Sequence, residues 1–291
     1  MQIVTRTLGL YTMHGHVGET PVDYVEFFRW LSGLSAPETT AKATSELRFS
    51  VAEATERDGL VSLRIVASTP NEVPLYFDFR TGQTTEGALP DGKWLARTAR
   101  VVVDPASDRR SVVIESSRAG VTAYALGRYF ARIARERGWA DRMTFELTPV
   151  ASESILEELA EFERIREAAA SVSRPNIGWE DLDDGLAELA GESGGQVAEA
   201  VVRAPRGGGL STDTGIVAII KNAITNKTPS VRDFRVTGRK YGSKKEVTVS
   251  SAQHQVRSFV DLDVDGAIDE ADARVFNASS ELIRGEGASL A

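Results

Sequence analysis

Two alternating runs, residues 47–54 and 60–67, stand either side of Arg57-Asp58-Gly59. Asp-Gly supplies the left-handed backbone of a tight hairpin turn, whose twist matches that of the strands it joins. An antiparallel pair is thus specified locally, and the pattern recurs. Residues 99–104 and 111–116 pair around Pro105-Ala106-Ser107-Asp108, and residues 234–238 and 246–250 around Tyr241-Gly242-Ser243. Residues 2–11, 75–79, 143–150 and 196–204 read as further strands, with a polar loop at 81–91.

Helical periodicity is sparser. Pro21 opens an amphipathic helix with Val22, Tyr24, Val25, Phe27, Phe28, Leu31 and Leu34 on its apolar face. Residues 121–137 form another, burying Tyr124, Ala125, Leu126, Tyr129, Phe130 and Ile133, with Gly138 placed to end it. Ser152 caps a helix that begins its core face at Ile155, Leu156 and Leu159. Residues 166–172 either extend that helix or start a strand, and Pro175 ends the run. Helices follow at 179–189, at 211–223 with Ser211 or Thr212 as cap, and at 267–283. Hairpins outnumber crossover helices, which predicts an α+β fold with mainly antiparallel sheets and packed helices. Two domains are expected, residues 1–161 and a smaller unit at 162–291 carrying a basic hairpin and the C-terminal helix.

The chain has 291 residues, 42% of them hydrophobic, enough for a proper core. It has no cysteine, which excludes disulfides, thiolate metal sites and a cysteine nucleophile. The first residues, MQIVTRTLGLYTMHG, lack a charged segment followed by an apolar run. No stretch approaches the ~20 apolar residues of a membrane helix. A cytoplasmic protein is expected.

Charge is unevenly distributed. Residues 201–250 hold ten Lys or Arg and three Asp or Glu, a net of +7, while the rest of the chain nets −15. A basic segment in an acidic protein is a local electrostatic site and points to an anionic partner. Its members are Arg203, Arg206, Lys221, Lys227, Arg232, Arg235, Arg239, Lys240, Lys244 and Lys245, with Tyr241 at the hairpin tip for stacking on a base or sugar. The competing readings are a solvated edge hairpin guarded by lysines, an acidic protein partner and a membrane surface.

A family resemblance enters in the middle of the chain. Ser111-Val-Val-Ile-Glu-Ser116, Arg118-Ala-Gly-Val121, the helix through Tyr129-Phe130, then Phe145-Glu-Leu-Thr-Pro-Val150 and Ser152 resemble RexA-like phage-exclusion proteins. Pro229-Ser-Val-Arg-Asp-Phe234 ahead of the basic hairpin and the terminal helix at 267–282 continue it, over residues 100–285 in all. The resemblance implies a non-enzymatic DNA-binding sensor of a prophage defence pair, a homodimer working with a membrane-protein partner; no cofactor is expected. The global acidity of this chain departs from a protein that binds DNA over its whole surface.

Other motifs compete with that reading. Asp261, Asp263, Asp265, Gly266, Ile268, Asp269 and Asp272 match a calcium loop, although Asp272 stands where a longer Glu belongs. Without metal, Asp263 or Asp265 would cap the terminal helix. Residues 206–214 resemble a phosphate loop but lack Gly-Lys-Ser/Thr, and read as a linker ahead of a capped helix. His14 and His16 would share a strand face, but His254 is remote and no third ligand is evident, so they read as a loop pair without metal. Asp104, Glu115 and Glu146 are the carboxylates a magnesium-dependent nuclease would use. The alternatives to a DNA-binding sensor are therefore a nuclease effector and a calcium-binding or protein-interaction module.

Overall fold

The structure, a computed structural model, describes residues 2–18, 20–70, 74–78, 80–91, 93–116, 120–173, 197–225, 231–263 and 265–285. It is an α+β fold built on antiparallel sheets. The spine of the larger sheet is β1 (Ile3–Val17), which runs six residues beyond the strand expected at 2–11. Around it the order is β10 (Met143–Pro149), β1, β9 (Ser111–Ser116), β8 (Ala96–Val103), β5 (Leu60–Ser68), β4 (Arg48–Arg57) and β3 (Ala41–Lys42), with β2 (Thr20–Pro21) also on β1. The β4–β5 turn adopts the expected form, with positive φ at Asp58 (54°) and Gly59 (78°). A small hairpin of β6 (Leu75–Phe77) and β7 (Thr84–Glu86) extends from the β5–β8 end; β7 lies in the stretch expected to be loop.

Alternation along the central strands supplies two cores. Met13, Val101, Val103, Val112, Ile114 and Phe145 face α1 (Tyr24–Ser32) and α2 (Ala123–Glu136). There Phe28, Phe130 and Phe145 stack edge to face, with centroids 5.4 and 5.1 Å apart along the series. α1 starts after Pro21, at the Asp23 cap, whose side chain accepts from Glu26 N–H at 2.9 Å. Tyr124, expected inside, is exposed, and Thr122 caps α2. Leu8, Leu10, Val102 and Val113 point the other way, against Val275, Phe276, Leu282 and Ile283 of α5 (Ile268–Arg284). Both faces of the central strands are covered, so they read as continuous apolar runs.

A second sheet forms in an excursion between β10 and the last strand, β15 (Arg257–Asp263). The excursion contains α3 (Ser154–Ala160), β11 (Phe162–Ser173), β12 (Val197–Arg203), α4 (Gly215–Thr225), β13 (Val231–Lys240) and β14 (Glu246–Ser250). Its strand order is β12-β11-β13-β14. The run at 166–172 is thus strand, not helix. One sheet face packs Ile165, Ala168, Phe234, Val236 and Val249 against Ile155 and Leu159 of α3 and Val217, Ile220 and Ile224 of α4. Gly238 sits at a bulge where a Cβ would fall 2.3 Å from Arg164 O, so only glycine allows the two strands to approach there. The helix expected at 179–189 lies outside the described residues.

The chain then returns to the first sheet. β15, to which the sequence assigned no strand, pairs with residues 3–9 of β1, end to end with β10 on the same edge. At the junction Leu10 N–H donates to Val256 O (3.0 Å), Val256 N–H to Val150 O (2.8 Å) and Val150 N–H to Leu10 O (3.0 Å). Residues 257–284, expected with the second unit, therefore pair and pack with the first. A strand beside the chain start is a long-range pairing that local pattern does not encode.

Candidate nucleic-acid interface

The second sheet turns its other face outward, and that face is charged. Arg203 and Glu167 are cross-strand partners and ion-pair at 2.6 Å. Arg235 of β13 reaches over β11 to Glu199 of β12 at 3.0 Å. Its direct cross-strand neighbour on β11 is Ala169, small and buried. Arg239 meets Glu163 at 3.2 Å, and Arg166 meets Glu246 at 3.2 Å. Lys240 is held by both Glu158 and Glu161 at the α3–β11 junction. Those hydrogen bonds, Glu158 first and then Glu161, hold the Lys240 ammonium above the ordinary lysine range.

Much of the basic segment is thus neutralised by the elements beside it. Residues 151–256 contain thirteen Lys or Arg and sixteen Asp or Glu, a net of −3, so the +7 of residues 201–250 is not the charge of the unit that carries it. The missing signal was in the sequence: Glu158, Glu161, Glu163 and Glu167 fall in one short run. Only the assembled sheet brings Glu158, Glu161 and Glu163 to the hairpin and Glu167 to Arg203.

One end of this sheet differs. In the β13–β14 turn Tyr241 N–H donates to Glu161 O (3.0 Å) and Ser243 N–H to Lys240 O (3.1 Å), while the Tyr241 ring is 71% exposed. Lys244 and Lys245 follow, both exposed. The loop after β12 comes to the same end, because Ala204 N–H donates to Arg166 O (2.8 Å) and Leu210 N–H to Ile165 O (2.9 Å) near the start of β11. That loop carries Arg206, also exposed. Among the described residues, Arg206, Lys244 and Lys245 enter no ion pair. Lys221 lies on α4, which covers the opposite face. Lys227 and the Arg232 side chain lie outside the described residues.

The Gly-rich stretch ahead of α4 spends its donors internally: Ser211 Oγ accepts from Asp213 N–H (3.3 Å) and Thr214 N–H (3.2 Å). The Asp-rich motif is divided between two jobs. Asp261 and Asp263 sit on β15, with Thr5 Oγ1 donating to Asp261 at 2.6 Å. Asp263 accepts from Asp265 N–H at 3.1 Å, ahead of a helix whose N-cap is Ala267 rather than either Asp. Asp272 faces the sheet, where Arg64 (2.8 Å) and Arg100 hold it. Among the described residues, Glu53, Asp269 and Asp272 lie close enough to share a cation, and Arg64 is ion-paired to all three.

The three nuclease carboxylates go separate ways. Glu115 is buried, accepting from Arg100 N–H (3.0 Å) and its guanidinium (3.1 Å). Asp104 accepts from Ser107 N–H (3.1 Å) in the β8–β9 turn, and Glu146 lies opposite His14 on β10. His14 and His16 are buried on one face of β1, not in a loop, with Thr12 Oγ1 3.1 Å from His14 Nε2. Among the described residues no helix is long and apolar enough to cross a membrane. No protein-family model matches this chain, and no curated protein does.

Proposed function

We propose that this protein binds nucleic acid, without acting on it chemically, through the end of its second sheet. The observation that carries the reading is that Arg206, Lys244 and Lys245, cations without a carboxylate partner among the described residues, lie at the same end of the sheet as the exposed Tyr241 ring. Lys and Arg at such a tip contact phosphates, and an aromatic ring beside them stacks on a base. Arg203, Arg235, Arg239 and Lys240 form the paired ground behind that tip. Binding is favoured over a nuclease reading because the three carboxylates lie on separate elements, with Glu115 buried on Arg100 and Asp104 accepting from Ser107 N–H in the β8–β9 turn. The RexA-like resemblance would set this binding in a phage-exclusion system, with DNA as the ligand, a homodimer as the working unit and a membrane protein as partner.

A mobility shift tests it, using duplex and single-stranded DNA with and without magnesium. The wild-type chain shifts DNA and leaves it intact, and Lys244→Glu with Lys245→Glu loses the shift while circular dichroism is unchanged, since both sites are exposed turn positions. Equal binding by the double variant would remove the tip from the interface, and DNA cleavage in magnesium would restore the nuclease reading.

A further inference from the structure

The carboxylates behind the tip have a geometry of their own. Five cations on and around the open face are each matched: Arg166 by Glu246, Arg203 by Glu167, Arg235 by Glu199, Arg239 by Glu163, and Lys240 by Glu158 and Glu161. The partners are spread over α3, β11, β12 and β14, so the matching is a property of the assembled sheet. We propose that these glutamates occupy the cations as an internal substitute for a phosphate backbone, making the interface select long polyanions over single anions. This rests on the nucleic-acid reading above.

The physical basis is competition. A carboxylate held beside its cation by the fold acts at a high effective concentration, which an isolated phosphate in solution must overcome at every site. Exposed ion pairs are individually weak and exchange readily. A nucleic-acid strand seated on Arg206, Lys244 and Lys245 presents further phosphates already in place, so successive exchanges at Lys240, Arg239 and Arg203 become intramolecular. Each phosphate seated also releases condensed counterions, which a lone phosphate does not. Tyr241 links the two zones, since its N–H is tied to the backbone of Glu161, a partner of Lys240.

The test is fluorescence anisotropy with labelled single-stranded oligonucleotides of about 6 and about 24 nucleotides, spanning the usual site sizes, with inorganic phosphate as competitor. The wild-type chain is expected to prefer the long strand strongly and to ignore millimolar phosphate. Glu158→Gln with Glu161→Gln should bind the short strand about three- to tenfold more tightly, the size expected when a nearby opposing charge is removed, and should become sensitive to phosphate. Glu163→Gln, which frees Arg239 instead, repeats the test should the first variant misfold. Glu281→Gln, an exposed site on α5, controls for net charge. If the Glu158 and Glu163 variants bind both strands as the wild type does, or if Glu281→Gln gives the same gain, the proposal is overturned. If neither wild type nor any variant binds either strand, the nucleic-acid reading itself falls, a separate outcome.

Discussion

Tyr129 is buried between α2 and the first sheet, and its hydroxyl donates to Thr39 O at 2.8 Å. Burial pushes the phenol well above the ordinary tyrosine range, and the hydrogen bonds around it offset only part of that. A group whose pKa is raised on folding contributes stability that is complete below its unfolded value, about 10 for tyrosine, and is lost as pH climbs through the folded one. An ultraviolet titration of the wild type should therefore show a late phenolate step that coincides with alkaline unfolding and is absent in Tyr129→Phe. Ionisation of that phenol near pH 10 with the fold intact would contradict the burial argument. At this scale the sequence is readable where a residue acts on its own backbone: Asp58 and Gly59 adopt the left-handed turn that their identities require. It is not readable where two residues must meet. Tyr124 and Tyr129 look alike in a helical pattern, yet one is 69% exposed and the other buried. Glu158 gives no local sign that it will hold Lys240.

Among elements, α5 shows the same division. Its apolar stripe is legible from spacing, and spacing alone leaves open whether its own fold or a second copy of the chain buries it. The first sheet takes that stripe instead, with Val275, Phe276, Leu282 and Ile283 buried against Leu8, Leu10, Val102 and Val113. A dimer therefore has no motive from α5. Asp272 fixes the helix in place through Arg64 and Arg100, whose side chains are largely buried. Breaking such a pair on one side leaves charge poorly compensated, so Asp272→Asn should lower the unfolding free energy by about 2 kcal/mol or more in denaturant titration. The same engagement predicts that calcium at millimolar concentration leaves the wild-type melting temperature unchanged. A calcium-induced rise that disappears in Asp261→Ala would show that the Asp-rich loop is a metal site after all. β15 escaped the sequence reading because its alternating apolar and acidic residues, Val260 to Asp263, run into a loop motif that begins at Asp261. Its partner, the N-terminal half of β1, is distant in sequence; the hydrogen-bonded Thr5 and Asp261 are 256 positions apart.

Over the whole molecule, the basic segment is legible in the sequence and the local neutralisation is not. Charge counting along the chain gives +7 for residues 201–250, while the excursion that folds together, residues 151–256, nets −3. Folding leaves Arg206, Lys244 and Lys245 at one end of a sheet whose Arg203, Arg235, Arg239 and Lys240 are ion-paired. The proposed binding at that end would be electrostatic, and its salt dependence would count the phosphates engaged. With three or more phosphates neutralised, log K for a duplex should fall against log salt with a slope of about −3 or steeper. The decisive measurement is that slope for the wild type, taken from dilute to physiological salt beside Lys244→Glu with Lys245→Glu. The proposed interface predicts a steep slope that flattens, with weaker binding, in the variant. An affinity indifferent to salt, or a slope identical in both proteins, would contradict it.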